Sequence, residues 1–335
     1  MNLIQDDIDF ESYLNADAPH ANVRQASEYV PALCDSLHAD RQRKRVYLPW
    51  VKTKENFDFR MGEVTVWAGQ NGHGKSHVTN MVALSMMGQG ERVCIANFEA
   101  KPLTTMRKMA RMFSGVNLFS AEAMADGQLE HVKRHYRDFG DWCHDKLWLY
   151  DQTGTQRGSK VMGMARYCAK ELGIKQIFID NLAKCIKDED DYNGQKAFVD
   201  EACVVAAEEN AHIHIVHHLK KPPNEADRPD KNHVKGSGSI VDQPDNLMLV
   251  WRNKPKEDER KTGGHTKADE ADEFVFCKKQ RNFEGIGEGE PTIGLWLHRD
   301  SGQFLGAAHE SPLSFQKPYP HRPVFVRADE FAEEV

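Results

Sequence analysis

The segment Gly69-Gln70-Asn71-Gly72-His73-Gly74-Lys75-Ser76 spaces its residues as G-x-x-x-x-G-K-[ST]. That pattern makes a cradle for the phosphates of a nucleotide. Glycines let backbone N–H groups curl around an anion, and a helix starting near Lys75 aims its positive end at the same point. Lys75 is expected to reach the β- and γ-phosphates and the Ser76 hydroxyl to ligate Mg²⁺, so the expected ligands are Mg²⁺ and ATP or another NTP or dNTP. The apolar run QIFID ends in Asp180. A carboxylate at the C-terminal end of a buried strand lies beside such a phosphate site and holds Mg²⁺ through water. The next position carries Asn181 rather than a second acid, so the group that activates the attacking water must come from elsewhere. Glu99, which ends VCIANFE, is the candidate general base. Its alternative is a helix-capping acid ahead of Pro102.

These side chains need strand ends to hold them. The runs VTVWAG (64–69), RVCIANF (92–98), KLWLY (146–150), QIFID (176–180) and HIHIVHH (212–218) read as strands. Helical patterns cover 75–87, 102–113, a long stretch after Ser120, 159–172 and 194–210. Strand and helix in alternation imply an α/β fold, a mostly parallel sheet with helices on both faces. After residue 244 the character changes. NLMLVW, EFVFCKK, TIGLWLH and GQFLGA read as extra C-terminal strands with no helices between them. The histidines 212, 214, 217 and 218 alternate to two faces and have no Cys or carboxylate beside them, which argues against zinc.

The chain has 335 residues, 40% hydrophobic and 28% charged, with net charge −7. An apolar content of that size supports a sizeable core, and nucleic acid would have to meet a narrow basic strip rather than a basic surface. No window reaches the roughly 18 apolar residues of a membrane helix, and the acidic start MNLIQDDIDFESYL is no signal peptide. None of the seven cysteines forms a C-x-x-C pair. The expectation is a cytoplasmic protein (host cytoplasm if phage-encoded) with reduced thiols and no membrane partner.

Five ordered motifs, GQNGHGKS, NFEAKP, QIFIDNL, HHLKKP and KGSGSIVDQPDNLMLVWRN through FCKKQRNFEGIG, resemble the hexameric replicative helicases: DnaB, Twinkle and the helicase half of the T7-like phage helicase–primase. The resemblance covers about residues 55–305 and implies a RecA-like P-loop ATPase core. It implies that Lys75, Ser76 and the cradle bind nucleotide and metal, that Glu99 is the catalytic base and that His218 senses the γ-phosphate. It also implies that Lys279 and Arg281, two apart on a strand, reach the γ-phosphate of a neighbouring subunit; solvent-facing cations are the alternative. Arg252 is a candidate to stack on the base. The polar segment 219–240 would face a central channel, where Lys220, Lys221, Lys231, Lys235 and the backbone of Gly236, Ser237 and Gly238 meet DNA phosphates; an ordinary surface loop is the alternative. The charged stretch 254–272 reads as mobile and as a candidate second channel loop.

The resulting organisation is a mobile acidic N-terminus (1–21), an arm helix for subunit docking (22–54), the ATPase domain (55–307) and an extended acidic tail (308–335). The implied activity is an ATP-driven hexameric ring translocating 5′–3′ on single-stranded DNA and unwinding a replication fork. Its implied partners are further copies of itself, a separate primase, and the replicative DNA polymerase, which the tail would hold; a merely solubilising tail is the alternative. A strand-exchange recombinase and a non-unwinding loader or switch are the competing readings.

Overall fold

The structure, a computed structural model, describes residues 2–4, 25–31, 33–35, 45–315 apart from 121, 122, 126, 127, 189, 222, 223, 225 and 284–289, and 326–327. Of the expected extended tail (308–335), residues 308–315 and 326–327 are described: Leu313–Ser314 pairs with Val326–Arg327 and Phe315 is buried in the core. The rest of it and most of the expected N-terminal leader lie outside the described residues.

One large sheet organises the chain. Its strands are β1 (Asn2–Ile4), β2 (Val64–Gly69), β3 (Val93–Asn97), β4 (Leu147–Tyr150), β5 (Gln176–Asp180), β6 (His212–His218), β7 (Asn246–Arg252), β8 (Glu273–Gln280), β9 (Thr292–Leu297) and β10 (Phe304–Leu305). They lie in the order β1-β4-β3-β5-β6-β2-β7-β8-β9-β10. The pairings from β1 through β7 are parallel, and those from β7 to β10 antiparallel. The RecA-like α/β expectation therefore holds, including the extra C-terminal strands. Residues 2–4, read as part of a polar leader, instead add a short strand beside β4.

Every residue of β2 and β5 is buried, because helices cover both faces and leave no polar side to the strand. One face packs α4 (Gly158–Lys170) and α5 (Tyr192–Glu209) through Val161, Ala165, Phe198, Ala202 and Val205. The other packs α1 (Lys75–Gly88), α2 (Pro102–Ser114) and α3 (Leu129–Trp142) through Met81, Leu84, Met109, Phe113 and Phe139. Val46, Leu48, Trp50, Phe57 and Phe59 join that second core, so the chain from residue 46 is already part of the folded body.

The reading of four strands with no helix between them needs a correction. Lys254–Lys261 is a helix, α6, between β7 and β8. Its sequence KPKEDERK has no apolar stripe to announce it. Asn253 caps it, its side chain accepting from the Lys256 N–H, and Glu257 pairs with Lys254 and Lys261. Such i,i+3 and i,i+4 pairs support a helix that buries nothing.

Candidate active site and nucleic-acid loop

The C-terminal ends of the parallel strands converge on one cavity of about 1280 Å³, whose walls include Gly72, Lys75, Ser76, Glu99, Asp180 and His218. The register explains the convergence. Asn97 of β3 lies opposite Asp180 of β5, and Asp180 opposite Val216 of β6, so the residues following each strand share one rim.

The cradle itself runs from the end of β2 into α1. Gly74 holds the N-cap position with φ +73°, a conformation that only glycine adopts without strain. A Cβ there would also meet the Glu273 Oε1 at 2.7 Å. The Lys75 ammonium folds back to donate to the carbonyls of Gly69 and Gln70, both at 2.9 Å. Burial lowers its pKa, and Asp180 and Glu99 oppose that shift. Ser76 Oγ donates to Asp180 Oδ2 at 2.5 Å. Burial, together with nearby Glu99, raises the Asp180 pKa, while Ser76 and Lys75 act to lower it. The His73 ring does not line the phosphate cavity; it is buried and accepts the backbone N–H of Arg252 at 3.2 Å.

Glu99 is set by its own turn. Asn97 Oδ1 accepts the N–H groups of Glu99 (3.0 Å) and Ala100 (2.8 Å), an arrangement that fixes the backbone after β3. Its carboxylate accepts from Asn181 Nδ2 at 2.6 Å, and the same nitrogen donates to His218 Nε2 at 3.0 Å. Asn181, passed over in the sequence as a missing acid, thus joins the two. Only three-dimensional proximity could find it, because its partners lie 82 and 37 residues away.

A second cavity of about 600 Å³ opens on the other side of the cradle. Gly72, Gly74, His77, Arg252, Glu273 and Phe304 are among its walls. Arg252 Nε lies 3.0 Å from Glu257 Oε2. Burial pushes the Glu273 carboxyl up to about 8, and its Oε1 has no hydrogen-bond partner among the described residues.

Segment 219–240 is tied down at its base. Leu219 and Val234 form an antiparallel bridge, and Lys220 N–H donates to His233 O at 2.7 Å. His217 Nε2 donates to Lys235 O at 2.7 Å, and burial lowers that histidine to about 4. Gln195 of α5, itself buried, accepts the Ser237 N–H at 2.7 Å. Gly236 has φ +95°, and a Cβ there would collide with the Gln195 amide. The structure therefore gives this glycine a conformational reason of its own. Lys220, Lys221 and Lys235 also line the nucleotide cavity, whereas Lys231 and Gly238 are exposed away from it. The stretch 254–272, read as a mobile channel loop, begins with α6.

Lys279 and Arg281 lie apart from all of this. Strand β8 ends at Gln280, so Arg281 stands in the turn beyond it, and a bulge interrupts the pairing beside Lys279. Both side chains nevertheless reach one spot. Lys279 Nζ donates to Val241 O (2.9 Å) and Asp242 O (2.5 Å), and Arg281 to Asp242 O (3.1 Å) and Gln243 O (3.0 Å). Gln280 lies opposite Asn246, itself opposite Thr65 at the start of β2. The phosphate cradle follows the other end of β2, about 17 Å away at the usual strand rise.

The C-terminal domain of DnaB-like helicases matches the chain over residues 56–287. Two solved structures are similar in fold. One, described as an ATPase domain, aligns with TM-score 0.69 at 13% identity, covering 85% of this chain and 99% of that one. The other, a DnaB-like replicative helicase described with its interactions with primase, aligns with TM-score 0.66 at 14% identity, covering 88% of this chain and 70% of that one. Since the family match spans more than half of its length, this chain belongs to the DnaB-like helicases and carries their NTP-hydrolysing motor domain.

Proposed function

We propose that the chain is an ATP-driven replicative helicase that works as a ring, hexameric by family resemblance, moving 5′–3′ on single-stranded DNA and opening duplex at a fork. The observation that carries the ring is the separation of Lys279 and Arg281 from their own phosphate cradle by the length of β2. Cations so placed serve a nucleotide only on an adjoining copy, where they would neutralise charge developing on the transferred phosphoryl.

In this reading Lys75 and the N–H groups of residues 70–76 hold the phosphates. Glu99 takes the proton of the attacking water, and His218 contacts the γ-phosphate. Arg252 lies on the nucleoside side. Ser76 Oγ and Asp180 Oδ2, hard oxygen donors 2.5 Å apart, fit Mg²⁺, which keeps few protein ligands and several waters. When bound, Mg²⁺ neutralises β- and γ-phosphate charge. Lys220, Lys221, Lys231, Lys235 and the 236–238 backbone track DNA phosphates without reading bases.

Subunit docking would use the arm. Val30 and Leu33 are exposed on it. An apolar groove between α2 and α3, with Leu103, Met106, Tyr136 and Phe139 in its walls and Lys101 and Arg107 beside them, offers a matching seat for a segment that also carries Glu28 and Asp35. The ring would work in the cytoplasm with a separate primase, and the acidic residues 329–335 would hold the replicative polymerase. Truncation after Ala328 should leave ATPase and unwinding unchanged but weaken polymerase binding, most at low salt. Equal binding by the truncated chain at low salt would remove that role.

The central test is unwinding of a forked duplex by the purified chain. Lys75→Ala should abolish both hydrolysis and unwinding. Glu99→Gln should bind ATP with near-normal affinity and hydrolyse it at least about 100-fold more slowly, because an amide accepts no proton. Hydrolysis within threefold of the wild type by Glu99→Gln would place the base elsewhere.

A further inference from the structure

Asn181 is fully buried between two groups that hydrolysis depends on. One N–H of its side-chain amide donates to Glu99 Oε1 at 2.6 Å, the other to His218 Nε2 at 3.0 Å. The two acceptors are 3.9 Å apart, too far for a hydrogen bond of their own. The backbone around the amide is held as well, with Asn181 O accepting from the Lys184 N–H at 3.0 Å.

The chemistry of the imidazole makes this bridge conditional. While Nε2 of His218 accepts from Asn181, it carries no proton. A γ-phosphate oxygen is an acceptor only, so His218 can bind it through Nε2 only as an N–H donor. The two states exclude each other. A phosphate that engages Nε2 must break the bond to Asn181, and the released amide N–H stands directly beside Glu99.

We propose that Asn181 is a positioning residue that informs the general base whether a γ-phosphate is present. With the sensor empty, the amide ties Glu99 to His218. With the sensor occupied, the same amide orients Glu99 alone. This rests on the roles proposed above for Glu99 and His218, and goes beyond them by giving the coupling a single intermediary.

The test uses the full chain and separates turnover from binding. Asn181→Ala should lower kcat for ATP by about 10- to 100-fold while KM stays within about threefold, because the phosphate cradle is untouched. Asn181→Ser, which keeps one donor, should recover part of that loss. Residues that act as a unit are non-additive, so adding His218→Ala to Asn181→Ala should cost no more than about another threefold. A kcat for Asn181→Ala within twofold of wild type overturns the proposal. So does a loss confined to KM, or a double variant whose losses multiply. Folding is checked by melting temperature. If Ala, Ser and the near-isosteric Asp variants all fail to fold, the amide is a packing element and the proposal falls. Glu99→Gln keeps the two readings apart: an active Glu99→Gln refutes the base, whereas an inactive one beside a normal Asn181→Ala refutes only the bridge.

Discussion

His212 and His214 show how a residue that reads as chemistry can serve packing. Both are fully buried on β6. His212 donates from Nδ1 to Arg60 O at 2.5 Å and accepts from Thr65 Oγ1 at 2.8 Å. His214 accepts from Trp67 Nε1 at 3.3 Å and stacks on Phe178 with centroids 4.0 Å apart. Burial lowers His212 to about 4 and His214 well below its usual range. Above pH 6.5 both the folded and the unfolded chain hold neutral rings, so these groups add no pH dependence. As pH falls from 6.5 towards 4 the unfolded chain takes up protons that the fold refuses, and stability drops by up to about 3 kcal/mol for His212 alone. The urea midpoint should therefore fall clearly between pH 7.5 and pH 5, and an unchanged midpoint would contradict the neutral buried rings. The same scale shows what sequence could reveal. That Lys75, Ser76, Asp180 and Glu99 share one cavity was legible because each ends or follows a recognisable strand. Asn181, Asn97 and Gln195 were not, because their meaning is a hydrogen bond to a partner no local pattern specifies.

At the scale of elements, the parallel strands were legible as short apolar runs closed by turn residues, since both their faces are buried, and α2 by its helical spacing; the bounds of these strands and of α2 moved by only one or two positions. Helix α6 escaped because capping and surface ion pairs hold it, with no apolar face. The 219–240 segment was legible in its charge but not in its anchoring. Its base is held by the Leu219–Val234 bridge, by His217 and by Gln195. Losing a hydrogen bond to a buried group costs about 1–3 kcal/mol. Gln195→Ala should free Gly236 and Ser237 from their present backbone. We expect DNA-free ATPase within about twofold of wild type and a stimulation by single-stranded DNA reduced about fivefold or more, in proportion to that cost. Rates measured with and without an oligonucleotide decide it, and normal stimulation would show that Gln195 does not set the loop.

At the scale of the molecule, the decisive feature is the length of the sheet between the cradle after β2 and the cations at the end of β8. Arg281→Ala should hydrolyse ATP poorly with its own cradle intact, and Lys75→Ala should be inactive with its cations intact. Mixed together, the two inactive chains should regain part of the wild-type rate, since some junctions then pair a sound cradle with a sound arginine. No recovery in assemblies proven to be mixed would count against a shared site. The feature reaches further than the count of junctions. On the proposed arrangement each chain would receive at one end of its sheet and give at the other, so a closed circle of such chains would have a sense, as a one-way street does. In such a circle the state of one cradle would be handed across β2, β7 and β8 to a single neighbour. The order in which the pockets fire, and with it the direction in which a threaded strand is drawn, would then be inscribed in the polarity of β2 and β8 before any nucleotide binds.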